Sequence, residues 1–226
     1  MTRVADPDRP VAADPPVSAL PARPVGDTAF VVDVRDLATV HRLHAAVRAA
    51  VTAGRVPAVV DVVPAYRSVL VVVDPARTGV EAVADAVRRL PLPDTAAAQG
   101  RTVEVPVVYD GPDLPEVCAR TGLPVDEVIA RHAAPAYLVA FLGFAPGFPY
   151  LVGLDPALHV PRRATPRTRV PAGAVGLGGD QTGVYPRDSP GGWQLIGHTD
   201  TVLFDPLRSP PALLAPGDRL RFVAVR

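Results

Sequence analysis

Four arginines, Arg162, Arg163, Arg167 and Arg169, stand between Pro156 and Gly179, a span with no Asp or Glu. Guanidinium groups this close repel one another unless anions compensate. Each offers a planar fork of donors suited to a carboxylate or a phosphate. Capture of an anionic ligand group is the chemistry this allows. The alternative is a solvated basic loop, or one paired with acids of this chain or of a partner. Upstream runs Gly143-Phe-Ala-Pro-Gly-Phe-Pro-Tyr150. Gly143 and Gly147 permit backbone shapes closed to other residues, and Pro146 and Pro149 stiffen the loop. Phe144, Phe148 and Tyr150 offer rings that either line a pocket or plug a barrel end. Downstream, Ser189-Pro-Gly-Gly-Trp193 reads as a tight turn whose backbone N–H groups, around Gly191 and Gly192, can face an anion. Tyr185 follows Gly183 in another turn and could present its hydroxyl to the same site.

Other reactive types are fewer. His132 ends a predicted helix, where an imidazolium would complement the dipole, and it is a candidate acid/base group. His41 and His44, spaced i, i+3, could share a metal or simply edge a solvated helix. The sequence has no HExxH and no CxxC, so no metal site is expected. Ser189 lacks the Gly-x-Ser-x-Gly setting of an activated nucleophile. The single cysteine, Cys118, excludes an internal disulfide and reads as a small apolar helix residue. All 23 basic residues are Arg, which rules out a Schiff-base or P-loop lysine. They are matched by 23 acids, so no broad nucleic-acid footprint is expected. The first residues lack the apolar core of a signal peptide, and no apolar run is long enough for a membrane span. A soluble cytoplasmic protein is expected.

The elements that must position these residues fall into two groups. Residues 1–24, rich in Pro, Asp and Ala, are expected to be a disordered tail, with structure beginning near Gly26. Within 25–92, strands are expected at Thr28 to Val34, Val56 to Val63 and Ser68 to Val73. Asp36 caps a helix bearing Leu37, Val40, Leu43 and Val47 on one face, closed by Gly54. Thr78 and Glu81 form a capping box for a second helix. The order β-α-β-β-α suggests a small α/β unit, ferredoxin-like if a further strand completes it. Residues 93–100 read as a linker to a second domain, 101–226. Arg101 to Tyr109 is a strand. Helices at Leu114 to Thr121 and Val125 to Arg131 follow. Short β runs then alternate with Gly and Pro: AYLVAFLGF, AGAVGLGG, WQLIGHT, TVLFD and DRLRFVAV. That pattern suggests a β-barrel or sandwich. Aromatic content is 5%, so both cores must be mostly Val, Leu and Ala. Trp193, the only tryptophan, either packs in the core or stacks on a ligand.

GFAPGFPYL and SPGGWQLIG, with the Pro-Arg segment and Gln181-Thr-Gly-Val-Tyr-Pro186 between them, together resemble the family of 5-oxoprolinase B subunits. That family is also labelled allophanate hydrolase subunit 1, sporulation-kinase inhibitor, or carboxyltransferase domain subdomain C and D. The resemblance extends into Val63-Pro-Ala-Tyr-Arg-Ser68. Ala174 stands where the family often has Ser, and His198 where Arg is usual. The resemblance implies an α+β chain: a ferredoxin-like α/β domain followed by a cyclophilin-like β-barrel. It implies the 5-oxoprolinase subunits C and A as partners, with a pocket shared with the first of them. It implies ATP as co-substrate, with Mg arriving with the nucleotide, and no covalent cofactor. It also strengthens His132 as acid/base group and Arg162, Arg163 or Arg167 as anion ligand. The implied reaction opens 5-oxo-L-proline to L-glutamate with ATP hydrolysis. Two other roles are compatible: an inhibitor of a sensor histidine kinase, or a component of urea carboxylase or allophanate hydrolase.

Overall fold

The computed structural model describes residues 20–93 and 100–225. The N-terminal part is a four-stranded antiparallel sheet carrying two helices. Its strands are β1 (Ala22–Val25), β2 (Ala29–Asp33), β3 (Val59–Pro64) and β4 (Ser68–Val73), in the order β1-β2-β4-β3. Alternate residues Phe30, Val32, Val69, Val71 and Val73 are buried, as a half-covered sheet requires. The cover is α1 (Leu37–Thr52) and α2 (Val80–Arg88), whose Val40, Leu43, Val47, Val83 and Val87 join the same core. Asp36 caps α1, its Oδ1 accepting from the Thr39 N–H at 2.8 Å.

Three expectations change here. Structure begins before Gly26: β1 starts inside the span expected to be disordered, 1–24, and it pairs antiparallel with β2. It is this strand that completes the sheet, from ahead of β2 and not from after α2. The Thr78–Glu81 capping box is not formed, because Gly79 occupies the cap position and no side chain bonds there. Of the expected disordered tail and linker, residues 1–19 and 94–99 lie outside the described residues.

The second part is a closed barrel of seven strands. They are β5 (Thr102–Val108), β6 (Ala136–Leu142), β7 (Pro149–Val152), β9 (Ala174–Gly178), β10 (Gln181–Val184), β12 (Gln194–His198) and β13 (Arg219–Val225). Around the barrel the order is β10-β7-β6-β13-β5-β12-β9, with β13 and β5 parallel. Helices α3 (Leu114–Thr121) and α4 (Val125–Ala133) follow β5. A ribbon of β8 (Arg167–Val170) and β11 (Ser189–Gly191) stands beside the barrel. The expected TVLFD strand reduces to one bridge, Phe204 to Ala212. Ser189-Pro-Gly is strand and not a free turn, because it pairs with the arginine segment. No helix among the described residues is long and apolar enough to cross a membrane.

Candidate functional site

The loop between β6 and β7 folds on itself, with Gly143 N–H bonded to the Phe148 carbonyl and Phe148 N–H to that of Ala145. Phe144 takes a left-handed φ of 63° at the loop tip and is 58% exposed. A bulky residue in that region costs about 1–3 kcal/mol, and such strain gathers at ligand sites. Gly147 is left-handed too, and a Cβ there would meet Phe204 at 2.7 Å. Phe148, by contrast, is buried and edge-on to Tyr150, Tyr185 and Trp193, with centroids 5.1–5.4 Å away. Phe148 is thus packed into a cluster with Tyr185, Trp193 and Leu195, and with Phe144 and Tyr150 it lines a cavity.

That cavity, of about 180 Å³, brings together Phe144, Phe148, Tyr150, Arg162, Arg163, Tyr185, Gly191 and Gly192, all among the candidate site residues, the two arginines on the strength of the family resemblance. Two residues not singled out for it, Pro166 and Trp193, complete the wall. Trp193 is seated on glycine. A Cβ at Gly178 of β9 would lie 2.7 Å from its indole, and one at Gly183 of β10 would lie 3.1 Å away. Gly191 is needed because Tyr185 Oη would sit 2.5 Å from its Cβ. Tyr185 is buried, not displayed in a turn. Burial pushes its phenol pKa up, opposed by the Trp193 backbone N–H and the Arg162 charge.

The arginines divide. Arg163 Nη1 and Arg167 Nη2 both donate to Asp113 Oδ1, at 2.9 and 2.6 Å. Asp113 Oδ2 accepts from the Leu195 N–H at 2.7 Å. Burial raises the pKa of this carboxyl, but the Arg167 bond, the Leu195 bond and the two guanidinium charges outweigh that and hold it below the usual range. Arg169 pairs with Asp188 on the surface. Arg162 has none of these acids; its Cζ lies 5.6 Å above the Trp193 ring, a cation–π placement at the cavity mouth. So the acid-free span is neutralised largely by Asp113 and Asp188, and Arg162 is the cation left facing the cavity.

Other expected site residues lie elsewhere. Pro146 and Gly147 line a separate depression on the outside of the loop. Arg167 faces a groove of about 440 Å³ shared with Ala174 and His198, where His198 Nδ1 pairs with Asp110 at 2.7 Å. His132 does not complement a helix dipole in solvent. It is fully buried, stacked on Phe222 with centroids 4.5 Å apart. Thr182 donates its hydroxyl to the Gly176 carbonyl, so it accepts from His132 Nε2 at 2.8 Å. Nδ1 then accepts from Tyr109 Oη at 2.7 Å. Burial lowers its pKa to about 3. Both nitrogens are engaged, so His132 cross-links the barrel core and is not brought to the cavity. Among the described residues no cluster of His, Cys, Asp and Glu could hold a metal ion.

Asp113 could have been sought as the acid that the arginine span demands, but nothing local marks it. It sits at the N-terminus of α3, where an Asp reads as an ordinary helix cap, yet its carboxylate makes no cap bond.

The chain is 44% identical over 203 residues to the 5-oxoprolinase B subunit of Escherichia coli O157:H7, covering 88% of this chain and 93% of that one. The crystal structure of TTHA0988 superposes with a TM-score of 0.78 at 42% identity; the match covers 88% of this chain and 40% of TTHA0988. The Kluyveromyces lactis urea carboxylase superposes with a TM-score of 0.70 at 21% identity, over 92% of this chain and 22% of that one, a likeness of fold alone. The family described as carboxyltransferase domain, subdomain C and D, matches residues 20–214, and the chain belongs to it.

Proposed function

We propose that this chain is the B subunit of an ATP-dependent 5-oxoprolinase, a cytoplasmic assembly that opens 5-oxo-L-proline to L-glutamate. The observation that carries the reading is one small cavity where Arg162 meets an aromatic wall, in a chain 44% identical to a protein named as a 5-oxoprolinase B subunit. The substrate is a five-membered lactam with one carboxylate. Its ring suits the faces of Phe144, Tyr150 and Trp193, and its carboxylate suits the guanidinium of Arg162. At about 180 Å³ the cavity falls below the roughly 300–1,000 Å³ of ordinary ligand pockets. That size fits a small substrate and leaves the remaining wall to the C subunit.

Amide resonance makes the lactam a poor electrophile. Transfer of the γ-phosphoryl group of ATP to the lactam oxygen releases ADP and activates the carbon. Water adds there, the C–N bond breaks with nitrogen taking a proton, and a second water releases phosphate. Charge developing on oxygen requires fixed cations and donors. Among the described residues that line the cavity, Arg162 is the cation not bonded to Asp113 and is the one assigned here; the nucleotide with its Mg, and the remaining groups, are assigned to the C and A subunits. Glutamate release tests the reading, with this chain alone and then with both partners added. We expect none from the chain alone and turnover from the ternary assembly. A verified ternary assembly without turnover overturns the oxoprolinase reading, and full turnover by the single chain overturns the shared site.

A further inference from the structure

The N-terminal unit grips the barrel at two adjacent residues of β6. His41, on α1, donates from Nε2 to the Ala140 carbonyl at 2.8 Å. Tyr66, between β3 and β4, sets its ring edge-on to Phe141 with centroids 4.7 Å apart, and to Tyr150 at 6.3 Å. These two contacts fall where β6 bulges. Val139 pairs with Leu151 and Phe141 with Tyr150, which leaves Ala140 as the extra residue. A bulge frees a carbonyl from the ladder and re-aims the side chains beside it. Here the Ala140 carbonyl goes to His41, and Phe141 stacks on Tyr150 with centroids 4.6 Å apart and planes 26° apart. Tyr150 is a wall of the cavity, 6.0 Å from Trp193. The loop carrying Phe144 and Phe148 begins directly after this grip.

We infer that His41 and Tyr66 are positioning residues: acting through Ala140 and Phe141, they make the N-terminal unit the support of the Tyr150 wall and so set the cavity's affinity for a ring-bearing ligand. The identity of that ligand rests on the oxoprolinase reading; the positioning itself does not. Tyr66 acts through its ring. Its hydroxyl is buried without a hydrogen-bond partner, and such a group is a cost to the fold.

Trp193, the only tryptophan, reports the cavity by its emission without any turnover. In the full chain, Tyr66→Leu and His41→Ala should shift that emission. In the assembled complex they should raise KM for 5-oxoproline about tenfold, with kcat nearly unchanged, as loss of ground-state binding does. Tyr66→Phe keeps the ring and His41→Gln keeps a donor, so both should behave as the parent, and Tyr66→Phe should melt slightly higher. Val56→Ala, in the core of the same unit, is the control: a lower melting temperature with unchanged emission and KM. Equal effects from Val56→Ala would reduce the grip to plain stability and overturn the inference. So would Tyr66→Leu without effect, or Tyr66→Phe as damaging as Tyr66→Leu. Should the parent complex show no turnover, the oxoprolinase reading fails while the emission measurements still decide the positioning.

Discussion

Arg167 Nη2 lies 2.6 Å from Asp113 Oδ1, a contact closed across 54 residues of chain. The same oxygen takes Arg163, so one buried carboxylate holds the arginine segment against the start of α3. Removing it strands two guanidinium groups beside each other. Asp113→Ala should cost about 3 kcal/mol, the low end for a broken buried pair because both arginines reach solvent. Urea denaturation at neutral pH measures this. The sign with pH follows from the depressed carboxyl pKa. The stabilisation is complete above the ordinary Asp value of about 3.9 and is lost as pH falls through the lower folded value.

Arg162 should behave unlike its neighbours. Arg162→Ala should lower kcat/KM of the assembled complex by about one to two orders of magnitude, the weight of one charge-assisted bond, with little change in melting temperature. Arg162→Lys should recover little if the ligand carboxylate is held by the fork. Arg163→Ala and Arg167→Ala should chiefly lower stability. Exposed Arg48 on α1 is the control. Steady-state kinetics with association checked for each variant decides the matter; normal turnover by Arg162→Ala would remove it from the site.

The glycine seat of Trp193 can be filled. Gly178→Ala places a methyl group 2.7 Å from the indole, and the ring must move. Overpacking of this kind costs about 1–3 kcal/mol. We expect a shifted Trp193 emission and weakened ligand binding at lower melting temperature. Unchanged emission would mean that strand β9 yields instead.

His132 predicts an acid slope. The unfolded chain takes up a proton on this imidazole below about pH 6.5, while the folded one stays neutral to about pH 3. Stability is therefore complete above pH 6.5 and falls toward pH 3, by up to about 1.4 kcal/mol per pH unit. His44, lowered to about 4 chiefly by burial, adds a slope of the same sign. His132→Asn should be less stable at pH 7 but lose less between pH 6 and 4. Denaturation curves at several pH values, compared between the two proteins, would show parallel lines if His132 were solvated.

Local pattern alone made α1 legible: Asp36 precedes an apolar stripe at helical spacing, and a cap bond spans only three residues. The alternation of β4 and the rings of the Gly143–Tyr150 loop were readable for the same reason, since neighbours in sequence are neighbours in space. Residue type alone left the cavity residues open between a ligand pocket and a solvated basic loop or barrel plug, because arginine, glycine and aromatic rings serve either. The resemblance to a family tipped the arginines toward a pocket, and the structure sets eight of the residues so named around one cavity. What each arginine does was decided elsewhere. Asp113 lies 50 residues from Arg163, and only closure of the barrel, with β12 beside β5 and β9, brings the two together. His132 looked like a helix end open to solvent, yet the packing of α4 against β13 turns it inward onto Phe222 and Thr182. Trp193 became a platform for Arg162 because glycines of two other strands vacate the space beneath it. Charge pairing, burial and close approach depend on distance in space, and for these residues the fold alone sets that distance.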